Sequence, residues 1–267
     1  MKLDPETPET IDEICEMQYS YQKRSTTMDA SSTTFAQAIC GPKYRRASWT
    51  CFILNSFNQL SGINAINVYA SRLLVQMEEE GDGTFPITPL TGTYIIGLSN
   101  AIPAIMQIAM INWMGRKTYY LLGEFFMALF MTLCGICVLT GYNLASFVTL
   151  CLFVASFQLS QGGVAWLYIP EVCVDAASGF AAGAQFLNLI VISFTFEFMI
   201  NSPLKVYGSL WIFAGFSAIG VIYVIFFVKE TKGLTDLEKK TLYTPKSSLD
   251  QEIMEMQASQ KAAEQKK

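Results

Sequence analysis

From Ala47 to Ser71 the chain has no Asp, Glu, Lys or Arg, yet it holds Asn55, Asn58, Gln59, Ser61, Gly62, Asn64 and Asn67. A side-chain amide offers two N–H donors and a carbonyl acceptor, a set that suits a polyhydroxylated solute. On a straight helix at roughly 100° per residue, Asn55, Asn58, Gln59 and Gly62 share one face, and Asn64 points to nearly the opposite side. A break near Ser61-Gly62 would let both groups line one cavity, and helices broken at the midplane are a recurring device of transporters. The competing reading is that these amides bond to neighbouring helices, which is also common in membranes. The amides alone do not choose between a site and such glue.

Further polar residues interrupt other apolar stretches. Asn100 is followed by Pro103, a residue that kinks helices. Gln158, Ser160, Gln161, Gly162, Gly163 and Trp166 form a second polar run. The glycine pair is expected to loosen the helix beside the indole. An indole can pack on the apolar face of a sugar while its N–H donates outward, or it can sit in a core or at an interface. Glu124 and Glu197 also lie within apolar stretches, where a charge at the bilayer centre costs roughly 2.5–3.5 kcal/mol. Each is expected to reach toward an interface, with a proton relay as the alternative. Cys134 and Cys137 form a CxxC inside an apolar helix. Seven cysteines without any histidine give no zinc site and no cofactor.

These residues need elements to position them. Only 15% of the 267 residues are charged, against roughly 25% in a soluble domain. The charges are absent from Ala47–Ser71, Pro86–Gly115, Phe125–Pro170, Ala176–Phe196 and Val206–Val228. A crossing needs about 20 apolar residues. The third window is long enough for more than one crossing, with a turn signal at Thr140-Gly141-Tyr142-Asn143. The expectation is an all-α polytopic membrane bundle of about six transmembrane helices, near 47–75, 88–113, 118–141, 145–169, 179–201 and 207–228. Residues 1–46 read as a polar surface segment, 47–228 as the bundle and 229–267 as a charged tail. Lys43, Arg45, Arg46, Arg116, Lys117, Lys229, Lys232, Lys239 and Lys240 fall in one set of loops, whereas the opposite set holds only Lys205. By the excess of basic residues on the inner side, both termini should be cytoplasmic. The acidic loop Glu78-Glu79-Glu80-Gly81-Asp82 would then face outward, as a solvated loop or a cation-attracting vestibule. The net charge of −4 gives no sign of a nucleic-acid partner.

Four motifs in order resemble one family. Asn58-Gln59-Leu60-Ser61-Gly62-Ile63-Asn64-Ala65 resembles the Gln-Gln-Leu-Ser-Gly-Ile-Asn-Ala stretch in the seventh helix of the sugar porters, the branch of the major facilitator superfamily that includes facilitative glucose transporters. Gly115-Arg116-Lys117 resembles their loop between helices eight and nine. Trp166 with Glu171 resembles their tenth helix, and Glu230-Thr231-Lys232-Gly233 their closing motif. Gly41-Pro42-Lys43-Tyr44-Arg45-Arg46 is similar to the end of their central cytoplasmic loop.

The resemblance implies the C-terminal six-helix half of a major facilitator fold. It implies substrate contacts at Asn58, Gln59, Asn64, Asn100, Gln158 and Trp166, and gating roles for Arg116, Lys117 and Glu171. There are departures. Asn112 and Trp113 stand where the family has an acid and an arginine, Gln158 where it has an acid, Ser178 where it has an arginine and Lys229 where it has a proline. The binding amides are mostly kept and the gating charges mostly lost.

The function expected is transport of a sugar or small polyol by alternating access, without covalent chemistry. The alternative is a non-transporting, sensor-like or truncated membrane protein acting through protein contacts. The partners expected are a sugar, the bilayer, and a second six-helix half or a second copy. A plasma membrane is the favoured location, and an organelle membrane is the alternative.

Overall fold

A computed structural model describes residues 33–80, 87–111 and 113–245, and among these residues every regular element is a helix. The elements are α1 (Phe35–Cys40), α2 (Arg45–Leu60), α3 (Ile63–Glu80), α4 (Pro89–Met110), α5 (Arg116–Leu139), α6 (Asn143–Val172), α7 (Asp175–Ile200), α8 (Lys205–Phe227) and α9 (Asp236–Thr241). Asn112, residues 81–86 and the outer parts of both terminal segments lie outside the described residues, whereas residues 78–80, expected in the acidic loop, are the last turn of α3.

Helices α4 to α8 are each long and apolar enough to cross a bilayer. The shortest, α4, has 22 residues and rises about 33 Å at 1.5 Å per residue, enough for a hydrocarbon core of ~30 Å. The first crossing is built differently, from α2 and α3 together. Two buried clusters show this. One gathers Ala47, Cys51 and Leu54 of α2 with the start of α5, the end of α6, the start of α7 and the end of α8. The other gathers Ile63, Ile66, Ala70 and Leu73 of α3 with the end of α5, the start of α6, the end of α7 and the start of α8. The chain therefore passes from one end of the bundle to the other through α2 and α3, which completes six antiparallel passes.

The break falls at Ser61-Gly62. Gly62 has φ +86°, a left-handed conformation open to glycine and costly for other residues. A Cβ there would lie 2.6 Å from the Phe213 ring, so glycine is required for the turn and for the close approach. The turn expected at Thr140–Asn143 separates α5 from α6, with Gly141 at φ +78°. Helix α7 begins at Asp175, earlier than expected. Val174 is its extended N-cap, and an acid in the first turn complements the helix dipole. Helix α6 runs unbroken through Gly162-Gly163, contrary to the expectation of a loosened helix. Cβ atoms at these positions would overlap the Gln158 and Gln107 side chains. The glycines make room for amides and do not open the helix.

Candidate functional site

The break brings the amides together. Gln59 Nε2 donates to Asn58 Oδ1 at 3.3 Å, and Asn64 Nδ2 donates to Gln59 Oε1. Asn58 and Gln59 are buried and Asn64 is half-buried. One turn along α3, Asn67 accepts from Asn100 Nδ2 of α4 at 3.1 Å. The same nitrogen donates to Ile96 O at 3.1 Å, and Asn100 Oδ1 accepts from Gln158 Nε2 of α6 at 2.9 Å. Asn64 and Asn67 are three residues apart and so share a face of α3. The result is an amide band across four helices: Asn58 and Gln59 from α2, Asn64 and Asn67 from α3, Asn100 from α4 and Gln158 from α6. Apart from the Asn100 bond to Ile96 O, each bond joins one side-chain amide to another, so the band is held by contacts that a hydroxyl could replace one for one.

Asn67 was missing from the expected contacts, although its spacing from Asn64 was a usable signal. Asn55 behaves as helix glue instead. It is fully buried, and its Nδ2 donates to Ala181 O of α7 at 2.8 Å. Trp166 is half-exposed on α6, eight residues or about 12 Å past Gln158, and no hydrogen bond joins it to the amide band. The two apolar-stretch acids part ways. Glu197 pairs with Arg72 at the α3 end and accepts from Tyr69 Oη at 3.5 Å. Glu124 does not reach an interface. It is completely buried, because Gly123 and Gly220 let α5 sit close to α6 and α8. Cys134 is buried and donates to Ser146 O at 3.3 Å, a packing contact.

A second constellation closes the opposite end of the bundle. Glu230 accepts from the backbone N–H groups of Arg116 at 2.7 Å, Lys117 at 3.2 Å, Thr231 at 3.0 Å and Lys232 at 2.9 Å. Its carboxylate thus caps the N-terminus of α5 from the far end of the chain, where the helix dipole favours an anion. Glu171, in the last turn of α6, accepts from Arg116 at 3.0 Å and from Thr231 Oγ1 at 2.6 Å. Lys239 of α9 lies 3.8 Å from it, both side chains being largely buried.

Cations meet the helix C-termini. Lys117 Nζ donates to Ile225 O at 2.8 Å, and Lys240 Nζ to Pro170 O at 2.7 Å and to Cys173 O. Partial burial lowers the Lys240 ammonium below its ordinary value, opposed by nearby Cys173 and Asp175. Tyr243 anchors the tail: its Oη accepts from Lys229 N at 2.9 Å, shares a 2.7 Å bond with Tyr168 Oη and lies 3.1 Å from Phe227 O. Desolvation raises its phenol well above the ordinary value.

Arg116, Lys117 and Glu171 are therefore brought to one end of the bundle, and further partners, Glu230, Thr231 and Lys239, come from the segment after α8. Trp113 is exposed, and its carbonyl accepts from Lys232 Nζ at 2.8 Å. Ser178 bonds its own helix at Val174 O, 3.2 Å away. Neither forms an ion pair, and Lys239 supplies a cation beside Glu171.

Comparison with known proteins places this arrangement. The model of the "Sugar (and other) transporter" family matches residues 2–243. The facilitated trehalose transporter Tret1 of Culex quinquefasciatus is 32% identical over 201 residues, covering 69% of this chain and 37% of that protein. The D-xylose-proton symporter of Escherichia coli K12 is 28% identical over 210 residues, covering 75% and 42%. The solved structure of the proton:xylose symporter XylE bound to 6-bromo-6-deoxy-D-glucose superposes with a TM-score of 0.69 at 25% identity, over 85% of this chain and 48% of that one. An inward-open XylE structure gives 0.63 at 26% identity, over 74% and 42%. The chain spans less than half the length of these relatives. It belongs to the sugar transporter family, as a partial sugar porter of the major facilitator superfamily, and it is an integral, multi-pass membrane protein.

Proposed function

We propose that this member of the sugar transporter family is the C-terminal half of a carrier, and that it moves a sugar or small polyol by alternating access. The amide band carries the reading. Asn58, Gln59, Asn64, Asn67, Asn100 and Gln158 span four helices around the break at Ser61-Gly62, which is where a carrier needs a polar lining. Solute hydroxyls would replace the amide–amide bonds, and Trp166 would pack on the ring from the edge. Relatives named for trehalose and xylose support a saccharide as cargo. Six helices give one wall of such a site, so a second six-helix half, or a second copy of this chain, would supply the other.

The end carrying Arg116, Lys117, Lys232, Lys239 and Lys240 would face the cytoplasm, together with both termini, in a plasma or organelle membrane. There Arg116, Lys117 and Glu171 would act as a gate. With Trp113 and Ser178 in place of arginines, the closed inner end would be held weakly, and the inward-open form of an assembled carrier would dominate.

The test is sugar binding by the purified chain in lipid, read by intrinsic tryptophan fluorescence across a panel of mono- and disaccharides. Saturable binding that weakens at least tenfold in Asn100→Leu and in Asn64→Leu, but not in Asn55→Leu, is expected. Equal, small effects at all three positions would return the amides to the role of helix glue.

A further inference from the structure

Glu124 and Gln161 pose a problem that their surroundings do not solve. Both side chains are completely buried. Both carboxyl oxygens of Glu124 and both amide atoms of Gln161 lack hydrogen-bond partners. The two side chains are neighbours: a Cβ at Gly123 would lie 3.7 Å from Gln161 Cγ, and one at Gly220 would lie 2.8 Å from the Glu124 carboxyl carbon. The carboxyl is therefore held between α5, α6 and α8, with the amide as the polar group of α6 on its side.

No cation answers this acid among the described residues. Arg116 and Lys117, two turns back on α5, are engaged with Glu171 and Ile225 O. The titratable groups around the region are phenols and a thiol, none of them a cation. Tyr120 lies one turn back on α5, Tyr168 of α6 packs edge-on to Tyr120, and Cys51 of α2 lies near Tyr120. From α8 come Gly220 and, one turn earlier, Ser217, whose hydroxyl is buried without a partner, while Tyr223 turns toward Thr50 of α2. On α3, Tyr69 and Arg72 are bound to α7 at Ser193 and Glu197.

We propose that Glu124 and Gln161 form a proton-binding site, in which a neutral carboxyl pairs head to head with the amide. The acid O–H donates to Gln161 Oε1, and Gln161 Nε2 donates to the carbonyl oxygen. This one arrangement satisfies all four orphaned atoms. An ionised carboxylate could accept from Nε2 but would leave Gln161 Oε1 without a donor and a charge buried without a counter-ion. The step is simple: the carboxylate takes a proton from hydronium of the solvent when the packing opens, leaving water, and returns it to water as hydronium when the packing opens again.

Gln161 lies one turn from Gln158, which is bonded to Asn100 in the amide band. A movement of α6 that reshapes the band also carries Gln161 away from Glu124. Proton and solute then become linked through one helix, and such linkage acts equally in both directions. This functional meaning rests on the transport reading. The proton site itself does not.

The experiment is infrared spectroscopy of the full chain in lipid vesicles at neutral pH. Carboxyl-labelled 13C-glutamate identifies a protonated glutamic acid by the isotope shift of its C=O stretch. The expected result is one such band, absent in Glu124→Gln and moved to higher frequency in Gln161→Leu, where the hydrogen bond is lost. Absence of a protonated-glutamate band at neutral pH would overturn the proposal, as would a band that persists in Glu124→Gln. A band that does not move in Gln161→Leu would overturn the pairing. If Glu124→Gln does not fold, the isotope shift and Gln161→Leu still decide. A chain that binds no sugar yet shows the band loses the transport reading alone, and one that binds sugar without the band loses this proposal alone.

Discussion

Replacing Glu230 by Ala should release the segment after α8 from the bundle. Its carboxylate accepts four backbone N–H bonds, two of them from the first turn of α5. Loss of an N-cap costs about 1 kcal/mol, the favourable dipole contributes about 0.3–1 kcal/mol, and hydrogen bonds to a charged group are worth about 1.5–3 kcal/mol. These overlap, and water recovers part of the loss because the site is only part-buried. A net cost of about 2–3 kcal/mol is expected, a shift of roughly 30- to 150-fold at 1.4 kcal/mol per decade. Trypsin can report it through Lys239 and Lys240. When opening is fast relative to cleavage, the cleavage rate follows the open population.

The geometry supplies an internal control. A Cβ at Gly115 would overlap the Glu230 carboxylate, so Gly115→Ala should displace it and raise cleavage to a similar degree. The double variant should be little worse than either single one, because both remove the same contact. Cleavage of Glu230→Ala within threefold of the parent would refute the reasoning, and so would full additivity with Gly115→Ala.

Other positions give sharper local tests. Gly62→Ala places a side chain at φ +86° and against Phe213, so it should destabilise the chain by at least about 2 kcal/mol, read as a lower midpoint of unfolding in detergent. Glu171→Gln should loosen Arg116 and Thr231 at the inner end. Labelling of a cysteine placed at Ser178 should rise roughly tenfold, for a loss of about 1–1.5 kcal/mol in this largely buried pair. Tyr243→Phe removes the bonds to Lys229 N and Tyr168 and should raise tryptic cleavage at Lys239 severalfold. The same phenol sets a pH limit. Its proton is held more tightly in the docked tail than in the free one, so its stabilisation is intact below about pH 10 and declines as pH rises above that value. Tryptic release of the tail should therefore accelerate above about pH 10 in the parent and change less in Tyr243→Phe.

The crossings were legible because a bilayer tolerates so few charges: the charge-free windows track α4 to α8, and the helix ends differ by a few residues. The broken crossing was legible for a second reason. Seven polar residues crowded around Ser61-Gly62 cannot all face one way on a straight helix, and glycine marks where the chain turns. The inner latch was only half legible. Arg116 and Glu171 were expected to act together, but their further partners, Thr231, Lys239 and Glu230, lie some 60 to 110 residues away, and no local period reports such a contact. Glu124 was misread for the same reason. Its depth in α5 allowed a reach toward the interface, and only Gly220, nearly a hundred residues later, shows that α8 closes over it.

The amide band also bounds how strongly this half alone could hold a solute. In this structure Asn64 bonds Gln59, and Gln158 bonds Asn100, so a sugar hydroxyl must displace an existing bond before it makes its own. Exchange of one hydrogen bond for another leaves about 0.5–1.5 kcal/mol each at best, and association itself carries an entropic cost of several kcal/mol. Asn67, at the centre of the band, is exposed on α3. An exposed amide within an apolar bundle is costly against lipid and useful against a polar wall. A second half docked over α3 and α4 would remove that exposure and add donors on the far side of the solute. Binding by this chain alone should therefore be weak, with dissociation constants in roughly the millimolar range, and should tighten by tenfold or more when a complementary half is co-reconstituted. Equal affinity with and without that half would show that the site is complete in these six passes.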